Sequence, residues 1–135
     1  MDASKKTSRR MNPEELEAVK ENLLKRKEEL WQEILEDLEN DAREEHKNII
    51  DIIREQGDIA LEELRSSTAF SLIELKHDEL QQIEQALQRI ERGEYGRCVD
   101  CGRWITPARL EVMPYAVRCR RCQAEHEKLE KMQAE

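Results

Sequence analysis

The chain has 135 residues, of which 40% are charged, 38% hydrophobic and only 4% aromatic, and its formal net charge is −8. That balance excludes a large compact core and points to long helices or a coiled coil within one domain. The acidity argues against a protein whose main work is neutralising a nucleic-acid backbone, and it suits a partner with a basic cleft.

Residues 1–11 are polar and basic, with Lys5, Lys6, Arg9 and Arg10, and read as a disordered tail. There is no apolar h-region here and no apolar run elsewhere long enough to span a bilayer, so no signal peptide and no membrane segment are expected, and the cytoplasm is the expected compartment. Asn12-Pro13-Glu14-Glu15 opens a helix: Asn is a good N-cap, Pro suits the first helical position and Glu15 completes a capping box. Leu16, Val19, Leu23, Leu30, Ile34, Leu38, Ala42, Ile49 and Ile52 then recur at gaps of three, four and seven, which marks one helical stripe. Dense Glu and Lys between them form a solvated face.

The pattern stops at Glu55-Gln56-Gly57-Asp58, and Gly57 is read as a reversal point. A second helix is expected from Asp58, its N-cap, to about Arg92. Ile73, Leu80 and Leu87 lie seven apart, and Leu80, Ile83, Leu87 and Ile90 alternate by three and four, as in an a/d seam. Its middle is weaker at Ser66-Ser67-Thr68, and Gly93 is its stop. Two apolar stripes joined by a tight turn pair antiparallel. Residues 12–92 are therefore expected to form a coiled-coil hairpin with its tip at 55–60 and arms of about 50 Å.

After Gly93 the composition changes. Cys98-x-x-Cys101 and Cys119-x-x-Cys122, separated by 17 residues, have the spacing of a structural four-cysteine zinc site. One tight turn offers two thiolates to a metal, and two such turns close a tetrahedral shell with no position left for catalysis. Gly102 stands where the knuckle needs positive φ. A dithiol redox pair or disulfides are the rival reading, disfavoured by two matched pairs. Between the knuckles, Trp104, Ile105, Pro107, Leu110, Val112, Pro114, Tyr115 and Val117 read as strand or turn pieces. Residues 93–135 are too few for an apolar core alone, so the one structural zinc supplies stability. Gln123 to Ala134 read as a short helix, with Leu129 and Met132 expected to pack on the base of the hairpin.

Three histidines, His46, His77 and His126, are scattered along the pattern, and no enzyme is expected. Arg97, Arg103, Arg109, Arg118, Arg120 and Arg121 make the head basic. They would balance the charge of a zinc tetrathiolate, and with no recognition helix or stacking set in view, direct nucleic-acid binding is not expected.

The run Ile90-x-x-Gly93-x-Tyr95-Gly96-x-Cys98-x-x-Cys101-Gly102, followed by Ile105, Arg109-Leu110, Pro114 and Cys119-x-x-Cys122, resembles the DksA/TraR family of bacterial transcription regulators. The detailed likeness covers about residues 69–126. The first helix resembles the family only in architecture. The resemblance implies a mainly α fold: a long antiparallel coiled-coil hairpin with a small four-cysteine zinc head and a short C-terminal helix. It further implies that the hairpin tip enters the secondary channel of RNA polymerase and modulates initiation. The family's Asp-x-x-Asp-x-Ala tip pattern falls on Glu55, Asp58 and Ala60, so the first position keeps its charge but gains a methylene. Family positions that carry basic residues toward guanosine tetraphosphate are here Leu75, Gln82 and Gln123, which implies weak or absent dependence on that nucleotide. Two alternatives stand beside this reading. One is a transcript-cleavage type of channel factor. The other is a coiled-coil and zinc-ribbon adaptor with a direct DNA contact.

Overall fold

The computed structural model describes residues 3–40, 45–59, 61, 65 and 69–134. Among the described residues, five α-helices follow a short 3-10 turn at Ala3–Lys6: α1 (Pro13–Asn40), α2 (Glu45–Gln56), α3 (Phe70–Glu91), α4 (Pro107–Val112) and α5 (Arg120–Gln133). The only extended pairing among the described residues is one antiparallel bridge between Arg97 and Trp104. The mainly α class is as expected, and no described helix is long and apolar enough to cross a membrane.

α1 starts as its sequence dictates. The Asn12 side chain accepts the Glu15 N–H at 2.8 Å, and the Glu15 carboxylate accepts the Asn12 N–H at 3.0 Å, a reciprocal capping box.

The chain divides into two compact units, Asn22–Glu84 and Met1–Glu21 with Gln85–Glu135. The division falls inside both long helices rather than after Arg92. In the first unit α1 and α3 are antiparallel. Lys27 pairs with Glu84 and Asp37 with Lys76, both at 2.5 Å, so the register advances along α1 as it retreats along α3. Arg26 adds a two-pronged bond to Glu79 at 2.8 and 3.2 Å, which is the leading cause of its raised pKa. Such exposed pairs contribute about 0–1 kcal/mol each and chiefly fix register. The buried residues supply the stability: Leu30, Ile34, Leu38, Ile73 and Ile83 are fully buried, at about 1.5–3 kcal/mol each.

Two expectations about the helices need correction. On α2 the buried residues are Ile49, Ile50 and Ile53, while Ile52 is half-exposed, so the stripe read from α1 does not carry through. The second helix, expected from Asp58, begins at Phe70. The Asp58 carboxylate accepts the N–H of the next residue, Ile59, at 2.8 Å, and neither residue is helical. Ser66-Ser67-Thr68, weak helix formers whose hydroxyls compete for backbone groups, lie outside the described residues, as do Ala42 and Ala60. Gly57 does end α2, at φ 68° with its N–H on the Ile53 carbonyl at 2.7 Å.

The N-terminal segment is the largest departure. It reads as a disordered tail, yet residues 3–11 lie against the unit that holds the cysteines. The Ala3–Lys6 turn packs on α4, and Lys5 pairs with Glu111 at 2.5 Å. The Ser8 hydroxyl donates to the Trp104 carbonyl, and the Arg10 guanidinium lies 5.6 Å from the Trp104 ring centroid. Arg9 grips Glu15 through two bonds of 2.7 and 3.0 Å, and Met11 is buried. The partners lie up to 106 residues away along the chain, beyond the reach of any local pattern.

Candidate metal centre

Each knuckle is built by backbone bonds. Gly93, at φ 72°, ends α3, and the amides of Glu94 and Tyr95 fold back onto the Arg89 carbonyl at 2.8 and 3.1 Å. Gly96 places the chain against α4: a Cβ there would stand 3.1 Å from Leu110. The Ile105 amide then bonds the Gly96 carbonyl at 2.6 Å, and the Cys98 amide bonds the Arg103 carbonyl at 2.8 Å. The loop from Cys98 to Gly102 closes through the Gly102 amide on the Cys98 carbonyl at 3.0 Å, with Gly102 at φ 76° as its positive-φ corner. The second knuckle is the start of α5. Cys119 is the N-cap, and its sulfur accepts the Cys122 amide at 3.5 Å. A backbone bond, Val99 N–H to the Val117 carbonyl at 2.9 Å, and the Arg118–Asp100 ion pair at 2.9 Å tie the two halves together.

Between the knuckles, where strand or turn pieces were expected, Trp104 lies in the bridge to Arg97 and Pro114-Tyr115 in a turn, but Pro107–Val112 is helical. Thr106 caps α4 by accepting the Arg109 amide, and Pro107 supplies its pre-set φ at the first position. Leu110 and Ile105 are thereby fully buried beneath the knuckles. Tyr95, also buried, donates its hydroxyl to the Pro114 carbonyl at 2.8 Å, and burial pushes its pKa up to about 12.

Cys98, Cys101, Cys119 and Cys122 come together with all four sulfurs within 4.8 Å of one another. The Cys101 and Cys119 sulfurs are 3.9 Å apart. That is about twice a disulfide bond and close to the edge of about 3.8 Å that four sulfurs make around zinc at about 2.3 Å. Cys98 and Cys122 are buried, and Cys101 and Cys119 are half-buried. The electrostatics ask for a cation. Burial opposes ionisation of Cys98, but the amides of Cys101, Cys119 and Asp100 outweigh it and hold that thiol at about 6. Cys122 is pushed up to about 12, first by its bond to Cys119 and then by burial and the remaining sulfurs. Four thiolates so close repel one another, and a divalent ion removes the conflict. Such an ion crosslinks two knuckles that the Val99–Val117 backbone bond and the Arg118–Asp100 pair also join.

His126, the histidine nearest the knuckles in sequence, is turned to Glu130 at 3.0 Å and takes no part in the cluster. Leu129 and Met132, expected to pack on the helical base, are 59% and 65% exposed, so α5 offers them to solvent. At the other expected site, Glu55 lies in the last turn of α2 and Asp58 just beyond Gly57, both exposed. Ala60 falls outside the described residues. No motif marks the Trp104 clamp, in which Arg97, at 6.0 Å from the ring, joins Arg10. The sole hint was a lone tryptophan among arginines.

The family model for the prokaryotic dksA/traR C4-type zinc finger matches residues 93–128. Over 124 residues the chain is 35% identical to the RNA polymerase-binding transcription factor DksA of Caulobacter vibrioides, a match covering 90% of this chain and 82% of that protein. The chain belongs to the DksA/TraR family. An uncharacterized protein of Aquifex aeolicus is 33% identical over 87% of this chain and 80% of its own length. The structure of transcription factor DksA2 from Pseudomonas aeruginosa matches with a TM-score of 0.60 and 28% identity, covering 89% of this chain and 88% of that one. The DksA/TraR finger is of the four-cysteine type, and the donor set and spacing here fit one structural zinc.

Proposed function

We propose that this protein is a DksA-like transcription factor that binds bacterial RNA polymerase, inserts the Glu55–Asp58 end of α2 into the secondary channel and modulates initiation. The observation that carries the reading is the similarity, along nine-tenths of the chain, to a protein named as an RNA polymerase-binding factor. Several features support it. Glu55 and Asp58 are exposed carboxylates flanking a glycine-terminated helix end, free to face a partner. Cys98, Cys101, Cys119 and Cys122 act as the zinc ligands that hold the head. The protein does no chemistry of its own and works in the cytoplasm, where the polymerase is.

Dependence on guanosine tetraphosphate is weak in this reading. Leu75 is 70% exposed and uncharged, Gln82 is exposed and uncharged, and Gln123 is bonded to Glu127 at 3.1 Å. A polyphosphate needs cations for charge-assisted bonds, and none of the three supplies one. Adding the nucleotide to in-vitro transcription with this protein is expected to change its effect little; a large potentiation overturns this point.

Asp58→Asn tests the tip. The variant removes a charge without changing shape, and the expected result is loss of regulation in a promoter assay with polymerase binding retained. Full regulation by the variant would favour a coiled-coil adaptor whose tip is inert.

A further inference from the structure

Within the unit that carries the cysteines lies a groove of about 700 Å³ beside the Cys101 and Cys119 knuckles. Its charged lining is all of one sign: Lys6, Arg103, Arg109, Arg120 and Arg121, with no carboxylate. In a chain of net charge −8 that is a local inversion. Several charged groups of the head outside the groove are matched. Arg118 holds Asp100 at 2.9 Å, Lys5 holds Glu111, and Arg9 holds Glu15. Arg109 spends its Nε on the Arg118 carbonyl at 3.2 Å. Lys6, Arg103, Arg120 and Arg121 are exposed and make no ion pair among the described residues.

Balancing the metal centre does not use up this charge. Zinc with four thiolates carries two net negative charges, and five cations line the groove, so a surplus of three remains. The walls are apolar as well as basic. Val112 is 81% exposed and Met113 46% exposed at the C-terminal end of α4, and the half-buried Trp104 stands beside them. Arginine, methionine and aromatic residues together, with acidic residues missing, are the composition of a protein–protein interface core. A nucleic-acid strand would use the cations but gain little from Val112 and Met113. It would also find the Trp104 ring already engaged by Arg10 and Arg97, so base stacking has no open platform.

We infer that this groove is a docking site for an acidic peptide segment of a partner protein, with carboxylates on Arg103, Arg120 and Arg121 and an apolar anchor against Val112, Met113 and Trp104. Guanidinium–carboxylate forks supply direction, and the anchor supplies the area removed from water. The N-terminal segment forms part of the site through Lys6 and Ser8, so its docking on Trp104 and Glu111 prepares one wall.

The test uses the full-length, zinc-loaded protein without polymerase, so it is decided separately from the secondary-channel reading. Fluorescence anisotropy compares a labelled Glu/Asp-rich peptide bearing one Phe with its Phe→Ala form, a Lys-rich control, and single-stranded and duplex DNA oligonucleotides. The expected result is saturable, salt-sensitive binding of the acidic peptide. The Phe→Ala form and the R103E/R120E double variant each weaken it by roughly tenfold or more, with zinc content and circular dichroism unchanged. Met113→Ala, which carries no charge, is expected to weaken the Phe peptide but not the Phe→Ala form. Tighter binding of either oligonucleotide than of the peptide, no peptide binding, or peptide binding indifferent to R103E/R120E each overturns the proposal.

Discussion

At the scale of single residues, two pairs of groups hold the cysteine-bearing unit in ways that pH can probe. Glu15 has its carboxyl pulled below the ordinary range, first by the Arg9 guanidinium and then by the Asn12 amide. A depressed folded-state pKa means that its contribution is present above the unfolded carboxylate value and is lost as pH falls through the folded one. The amides of Asn12 and Glu15, joined in the capping box, are therefore expected to lose hydrogen-exchange protection on acidification before α3 does, and Arg9→Ala should move that loss toward neutral pH. Tyr95 has the opposite sign. Its folded-state pKa, near 12 through burial, lies above the unfolded value, so the neutral phenol stabilises the fold below about 10 and that contribution disappears as pH rises through about 12. Tyr95→Phe removes the bond to Pro114 and is expected to cost about 1 kcal/mol in denaturant unfolding. It should also abolish the late alkaline step in tyrosine absorbance. What was legible at this scale is what is local. Four cysteines at knuckle spacing, Gly93 and Gly102 at positive φ, and the Asn12–Glu15 box all depend on residues a few positions apart. Arg10 on Trp104 and Tyr95 on Pro114 depend on the folded head, and sequence spacing carries no trace of them.

Among elements, the α1–α3 pair is where periodicity worked best. Leu23, Leu30, Ile34 and Leu38 on α1 and Ile73, Leu80 and Ile83 on α3 are buried as their spacing requires. Ile83→Ala leaves a cavity between helices and is expected to cost about 2–5 kcal/mol. Arg26→Ala, which removes an exposed fork to Glu79, should cost under about 1 kcal/mol. Thermal unfolding followed by circular dichroism would check both, and equal losses would mean that charge rather than burial holds the pair. Periodicity worked least well on either side of Gly57. The glycine was correctly read as an end, but an aspartate after it looks like a cap whether or not its carboxylate reaches the second amide. Here it accepts the Ile59 N–H, and the next amide, that of Ala60, lies outside the described residues. Similarly, Leu129 and Met132 have helical spacing without a surface to cover, because three-residue spacing shows which face they share and nothing about what lies opposite.

For the molecule as a whole, one metal and one partner carry the account. The cysteine unit has a small apolar core, with Tyr95, Ile105 and Leu110 as its buried centre, so metal binding and folding of this unit are one equilibrium. Chelation, or Cys119→Ser, is expected to lower protection of Val99, Ile105 and Leu110 in hydrogen exchange while Ile34 and Ile73 stay protected. Because zinc needs thiolates, acid should release the ion in the same window in which that protection is lost. The division at residues 84 and 85 gives this prediction its shape, since each unit has its own buried residues. The central claim is that the helical unit occupies the polymerase secondary channel. It is tested most directly by competition, in which this protein is titrated against a labelled secondary-channel factor bound to core RNA polymerase. Displacement of the label by the wild-type chain, to completion and in simple competition, is the predicted result; a ternary complex retaining both proteins at saturation would contradict it.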